Sequence, residues 1–154
     1  MSIYKAVFFC PQFVLATAFS SSVWVVYYQF NQSMVFDQIS LLFVFNVMWT
    51  LLYDTQYAMA DFEDDQKLQL HSSVKFLGPY VHLFNTILMI GMLMVLASLT
   101  STLMGWMMLV VTGLLFFWQW YQLKDGYWQE NAIPVFLSHM YLGGMWVFWL
   151  YAQI

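Results

Sequence analysis

An all-α membrane bundle of about five transmembrane helices is the fold this chain predicts, and three observations carry that prediction. Five apolar runs are each long enough to cross a hydrocarbon core of about 30 Å, which takes about 20 helical residues. The composition, 62% hydrophobic and 8% charged over 154 residues, leaves far fewer charges than the roughly one quarter found in soluble domains. The runs are also continuous, whereas a membrane strand would alternate apolar and polar residues over about ten positions. The 8 Trp, 10 Tyr, 15 Phe and 12 Met exceed what a core of this size hides behind so few charges, so lipid is the expected solvent.

The first span reads from Phe9 to Tyr28. Lys5, the apolar stretch and Ala16-Thr17-Ala18 imitate a cleavable leader, but Phe19 to Tyr28 stays apolar past that point and makes the whole run long enough to remain as a span. Asn31-Gln32-Ser33 breaks the pattern and also fits a glycosylation sequon, which three residues match easily by chance. The second span runs from Ile39 to Met59 and the third from Val81 to Leu99, after a break at Gly78-Pro79. Ser98 to Ser101 turns the chain into the fourth span, Leu103 to Leu123. Lys124-Asp125-Gly126 then leads to the fifth, Ile133 to Tyr151, with Pro134 near its first turn. No internal repeat or low-complexity linker divides the chain, so residues 1–154 read as a single membrane domain.

Charge adds orientation and excludes one class of partner. Five spans place the N-terminus, the second loop and the fourth loop on one side, and Lys5, Lys67, Lys75 and Lys124 all fall there, which makes that side cytoplasmic. The four basic residues are all lysines against eight carboxylates, so the chain has no electrostatic footprint for nucleic acid. A single cysteine, Cys10, forms no internal disulfide and no thiolate metal cluster.

Five of the eight carboxylates, Asp54, Asp61, Glu63, Asp64 and Asp65, lie within twelve residues at the cytoplasmic end of the second span. At about 100° per residue a continuous helix puts Asp54, Asp61 and Asp65 on one stripe, within about 20° of Asp54 on either side. Asp61 and Asp65 then stand one turn apart, and like charges so placed call for a compensating cation. Magnesium suits the donors, being a hard ion held by one or two carboxylates together with waters and substrate phosphates. The alternative is a solvated acidic loop between spans, the ordinary fate of acidic runs. Asp54 weighs against it, because a carboxylate beside Leu51, Leu52 and Tyr53 within a span costs up to about 3 kcal/mol and usually faces the bundle interior.

The string Tyr53-Asp54-Thr55-Gln56-Tyr57-Ala58-Met59-Ala60-Asp61, followed by Glu63-Asp64-Asp65, Lys67 and Ser72, closely resembles the second aspartate-rich motif of the UbiA-type membrane prenyltransferases, in particular their 4-hydroxybenzoate branch. Pro11-Gln12 with Ala18-Phe19 resembles the start of that family's fifth helix, and Tyr141 with Gly143 its last, so the chain resembles the C-terminal half of a nine-helix fold. The family's earlier motif, of the form NDxxDxxxD, is absent; Phe62, Gln69, His71 and Ala16 stand where the family commonly has a basic residue, glycine, lysine and glycine. The resemblance implies that Asp61 and Asp65 bind Mg2+, that Asp54 supports the site or the aromatic acceptor, and that Lys67 neutralises phosphate charge. Tyr57 and Tyr53 would stabilise an allylic cation through their ring faces, although Tyr57 also reads as an interfacial anchor. The implied partners are polyprenyl diphosphate and 4-hydroxybenzoate, membrane lipid, and an N-terminal half of the fold. The implied location is a bacterial inner membrane with the acidic motif on the cytoplasmic side, and the implied activity is Mg-dependent prenyl transfer in ubiquinone biosynthesis, absent from the isolated chain.

Other polar residues point less far. His71, His82 and His139 have no local ligand spacing, and His82 and His139 read as interfacial or hydrogen-bonded within the bundle. Trp106, Trp118, Trp120 and Trp128 read as belt or lipid-facing residues, and the methionines from 89 to 108 as adaptable packing. Two other functions remain open: a truncated noncatalytic helical membrane protein, and a cation pathway with the acidic cluster as its vestibule. The pathway is the weaker, since no second polar route crosses the other spans.

Overall fold

In a computed structural model, residues 11–30, 36–67, 72–124 and 128–151 are described. They are helical almost throughout: α1 (Pro11–Ser20), α2 (Ser22–Phe30), α3 (Phe36–Ala60), α4 (Phe62–Lys67), α5 (Ser73–Leu77), a 3-10 turn (Gly78–Tyr80), α6 (Val81–Leu99), α7 (Leu103–Leu123) and α8 (Trp128–Tyr151). Lys5, Cys10, Asn31-Gln32-Ser33, Gln69, His71 and Asp125-Gly126 lie outside the described residues.

Among the described residues, three stretches are long and apolar enough to cross a membrane: Phe36–Ala60, Ser73–Leu99 and Leu103–Leu123. The expected first and last spans differ from that set for visible reasons. The first is divided at the serine triplet, where Ser21 and Ser22 hydroxyls donate to the Ala18 and Phe19 carbonyls at 2.6 and 2.8 Å, and the next turn tightens so that Trp24 N–H reaches the Ser21 carbonyl. Serine back-bonding of this kind bends helices. The last begins at Trp128, five residues before the apolar run, and carries Glu130, Asn131, Ser138 and His139, which dilute its apolar character. Pro134 therefore falls inside α8 rather than in its first turn.

The third span extends backwards through a kink. Ser72 caps α5, its hydroxyl accepting from Lys75 N–H, and Gly78 closes it with φ 51°, a conformation side-chain-bearing residues resist, while its N–H returns to the Val74 carbonyl. Pro79 then opens the 3-10 turn into α6.

Pair contacts fix the directions of the helices. Met48 meets Gly91 and Met59 meets Asn85, so α3 and α6 are antiparallel. Trp49 meets Gly143 while Tyr57 meets Phe136, so α3 and α8 are antiparallel as well. Thr112 with Trp146 and Gln119 with Ser138 do the same for α7 and α8. Central α3 thus touches α1, α6 and α8, and its acidic end lies with the start of α6, the end of α7 and the start of α8. Lys67, Lys75 and Lys124 share that end.

One apolar core cluster gathers Leu52, Met92, Phe116 and Leu142, and a second near the acidic end gathers Met59, Val74, Val81, Leu123 and Val135. Close helix approach at Gly91, where an added Cβ would stand 2.9 Å from the Met48 sulfur, is the small-residue contact expected where lipid removes the hydrophobic drive for helix association. Outward residues such as Phe19, Val25, Met107, Val110, Leu114 and Phe117 are exposed and apolar, as a lipid-facing surface requires. Trp106, Trp118 and Trp120 are exposed with them, whereas Trp128 packs on Phe62 and His82.

Candidate active site

The α3 helix does not lose its register where its regular assignment stops. Asp61 N–H donates to the Tyr57 carbonyl at 3.2 Å and Asp65 N–H to the Asp61 carbonyl at 2.9 Å, so the i to i−4 pattern continues into α4. That continuity keeps Asp54, Asp61 and Asp65 in one helical phase. All three are half-buried, whereas Glu63 and Asp64 are exposed.

The α6 and α8 helices take two other faces of α3, and α1 packs on it as well. Met48 and Met59, which meet α6, lie about 120–140° from Asp54 in one sense; Trp49, Tyr53, Gln56 and Tyr57, which meet α8, lie about 60–160° away in the other. The carboxylate stripe occupies the face between them. Its α8 edge is aromatic: Phe136 packs on Tyr53 and Tyr57 at centroid separations of 6.2 and 5.2 Å. Tyr57 stands one helical turn before Asp61, on the same side of the helix as the stripe's α8 edge.

Lysines approach the cluster from two sides. Lys67 donates to Asp64 at 2.9 Å, both side chains largely in solvent, and this neighbouring carboxylate raises the Lys67 ammonium above its ordinary pKa. Lys75 Nζ donates to the Asp65 backbone carbonyl at 3.3 Å, tying α5 to the end of α4. Lys67 therefore belongs to the outer, Asp64 face, not to the Asp54 stripe.

The donor chemistry fits a hard cation. Two half-buried carboxylates one turn apart supply oxygen ligands, and Lys67 pairs with Asp64 on the exposed side. Among those residues no group of three or more His, Cys, Asp or Glu could enclose a metal, so Asp61 and Asp65 would leave most of a magnesium ion's octahedron to waters and phosphate oxygens, its usual binding mode.

Sequence reasoning read His139 as interfacial or hydrogen-bonded within the bundle and did not single out Gln119. The structure places both in a buried polar chain crossing three helices. Trp49 Nε1 is 3.0 Å from His139 Nδ1, His139 Nε2 is 2.8 Å from Gln56 Oε1, Gln56 Nε2 is 3.4 Å from Gln119 Oε1, and Gln119 Nε2 is 2.8 Å from Ser138 Oγ. The available signal was the position of each polar residue inside an apolar run, which marks an inward-facing role. Beyond Trp49, toward the end of the bundle opposite the carboxylates, an apolar cavity of 410 Å³ is lined by Leu42, Phe45, Leu96, Gly143 and Trp146.

A family model described as the UbiA prenyltransferase family matches residues 2–151. Over 146 residues the chain is 36% identical to a 4-hydroxybenzoate octaprenyltransferase of Aliivibrio fischeri (strain MJ11), covering 92% of this chain and 50% of that protein. It is 34% identical over 145 residues to the protein so named in Aliivibrio salmonicida (strain LFI1238), covering 91% and 50%, and 34% identical over 137 residues to that of Escherichia coli O9:H4 (strain HS), covering 86% and 47%. The chain spans about half the length of the curated relatives it matches. No solved structure matches.

Proposed function

The chain belongs to the UbiA prenyltransferase family, and from that premise we propose that it forms one half of a 4-hydroxybenzoate polyprenyltransferase site, transferring a prenyl chain from its diphosphate to the aromatic acid. The observation that carries this reading is the single helical stripe of Asp54, Asp61 and Asp65, edged by Tyr53, Tyr57 and Phe136. Likeness to proteins named 4-hydroxybenzoate octaprenyltransferase supplies the substrate class.

Asp61 and Asp65 would hold magnesium, which when bound supplies the charge neutralisation that lets the allylic diphosphate leave as an anion. Tyr57, one turn before Asp61, is placed to donate its hydroxyl proton toward that carboxylate. Ring faces of Tyr53 and Tyr57 stabilise the allylic cation left behind by about 0.5–2 kcal/mol. The acceptor ring attacks through the carbon ortho to its hydroxyl, and Asp54, two turns deeper than Asp61, orients that hydroxyl. Lys67 screens phosphate charge from the rim. In the same reading α1–α2 and α8 complete a five-span bundle, and the lysine-bearing end faces the cytoplasm of a bacterial inner membrane.

Prenyl transfer in membranes containing this chain and an N-terminal half bearing NDxxDxxxD tests the assignment. Asp61→Asn and Asp65→Asn are each expected to lower product formation by about a hundredfold, the scale of removing one electrostatic stabiliser of a transition state. Asp64→Asn, on the outer face, is expected to change it little. Little loss from any of the three would favour the solvated acidic loop, and equal large losses would overturn the distinction between the stripe and the outer face. Topology has its own check: with Cys10→Ser, a cysteine at Lys124 should label from the cytoplasm and one at Ser101 from the other side, and the reverse pattern would overturn the orientation.

A further inference from the structure

The geometry points to His139 as a positioning residue: a neutral imidazole, fixed with its proton on Nε2, that sets the rotation of α3 and so the direction in which Tyr53, Asp54 and Tyr57 are presented. Its catalytic meaning rests on the proposed prenyl-transfer reading, while its geometry stands apart from it.

Direction in the buried chain is forced from one end. An indole N–H only donates, so His139 Nδ1, 3.0 Å from Trp49 Nε1, must accept and carries no proton. The ring proton is then on Nε2, which donates to Gln56 Oε1 at 2.8 Å. That leaves the Gln56 amide NH2 to donate to Gln119 Oε1, the Gln119 NH2 to donate to Ser138 Oγ at 2.8 Å, and the Ser138 hydroxyl to donate to the Val135 carbonyl at 2.6 Å. The 3.4 Å approach of Gln119 Nε2 to His139 Nε2 joins two donors and is a contact, not a bond. An imidazolium would set N–H against the Trp49 N–H, so the chain closes only around the neutral ring.

The lever is the spacing on α3. Trp49 and Gln56 are seven residues apart, two turns of one face, and a single ring grips both. Turning α3 by one residue, about 100°, breaks both bonds together. Between the two grips lies Tyr53, its ring 6.3 Å from His139, and Phe136, nearly one turn earlier on α8, packs on Tyr53 and Tyr57. His139 is 7% exposed, and Gln56 and Gln119 are fully buried, so water offers none of them an alternative partner.

Two measurements on the full chain in lipid nanodiscs test this, and neither uses magnesium or diphosphate. With His71 and His82 replaced by Gln, the 15N spectrum of the remaining imidazole should give the neutral Nε2–H tautomer; an Nδ1–H ring or a cation overturns the proposal. The rotation of α3 is read by a disulfide between Met48→Cys and Gly91→Cys in a Cys10→Ser background, since those positions touch when α3 has this phase. His139→Asn, which keeps one acceptor and one donor, should cross-link like the parent. His139→Phe should cross-link at least about fivefold less, the scale of one or two interhelical hydrogen bonds in a membrane. Undiminished cross-linking in His139→Phe, or equal loss in both variants, overturns the positioning role. Should His139→Phe not fold, Gln56→Met removes one grip and carries the same expectation. Absence of prenyl transfer in every form would instead defeat the functional reading and leave both measurements standing.

Discussion

The isolated chain, purified and given a prenyl diphosphate, 4-hydroxybenzoate and magnesium, is expected to yield no measurable prenylated product, and co-expression with an N-terminal half bearing NDxxDxxxD is expected to restore transfer. A prenyl diphosphate carries about three negative charges, and one aspartate pair holds one divalent ion, so part of the leaving group stays uncompensated. Each unmet opposite charge at about 4 Å, with an effective dielectric near 20, forgoes about 4 kcal/mol, and about 1.4 kcal/mol is a factor of ten in rate. A deficit of that size takes turnover down by about a thousandfold for a single charge. Gel-filtered chain assayed with radiolabelled acceptor provides the measurement. Robust turnover by the chain alone, abolished by Asp61→Asn, would show that the first motif is dispensable and that this charge argument fails.

How much of this was legible beforehand depends on whether the information was local. The third and fourth spans were read as Val81 to Leu99 and Leu103 to Leu123, and α6 and α7 have those bounds, because Thr100 to Thr102 is a sharp polar interruption between uniformly apolar runs. The division at Ser21 was not read, since a serine triplet in an apolar run changes hydropathy little while its hydroxyls compete for backbone carbonyls. The start of α8 was missed for the opposite reason: its first turns are polar and lie beyond the apolar run, yet continue the helix. Helical phase could be computed for Asp54, Asp61 and Asp65 because it needs only spacing on one helix. It could not yield Gln56 with Gln119, 63 residues apart, or Gln56 with His139, 83 apart, because those pairings exist only once three helices pack. Lys67 is the opposite case: its partner Asp64 lies only three residues earlier, so that pairing was within reach of local spacing.

A double-mutant cycle on the two buried amides is expected to be strongly non-additive. Gln56→Leu strands two polar groups, the His139 Nε2–H and Gln119 Oε1, and should destabilise the bundle by about 2–4 kcal/mol. Gln119→Leu strands one Gln56 amide proton, while the Ser138 hydroxyl keeps its bond to the Val135 carbonyl, so about 1–3 kcal/mol is expected. The double replacement removes both ends of the Gln56–Gln119 bond and strands only the His139 proton, so it should cost no more than Gln56→Leu alone. A hydrogen bond between helices in a membrane averages only about 0.6 kcal/mol, so the bond itself would give a small coupling. The orphaned partners are the larger effect, and they predict a coupling of about 1–3 kcal/mol in favour of the double variant. Equilibrium unfolding in bicelles measures all four forms. Additivity within about 0.5 kcal/mol, the behaviour of independent sites, would mean that the two amides share no bond and that the chain of donors from Trp49 stops at Gln56.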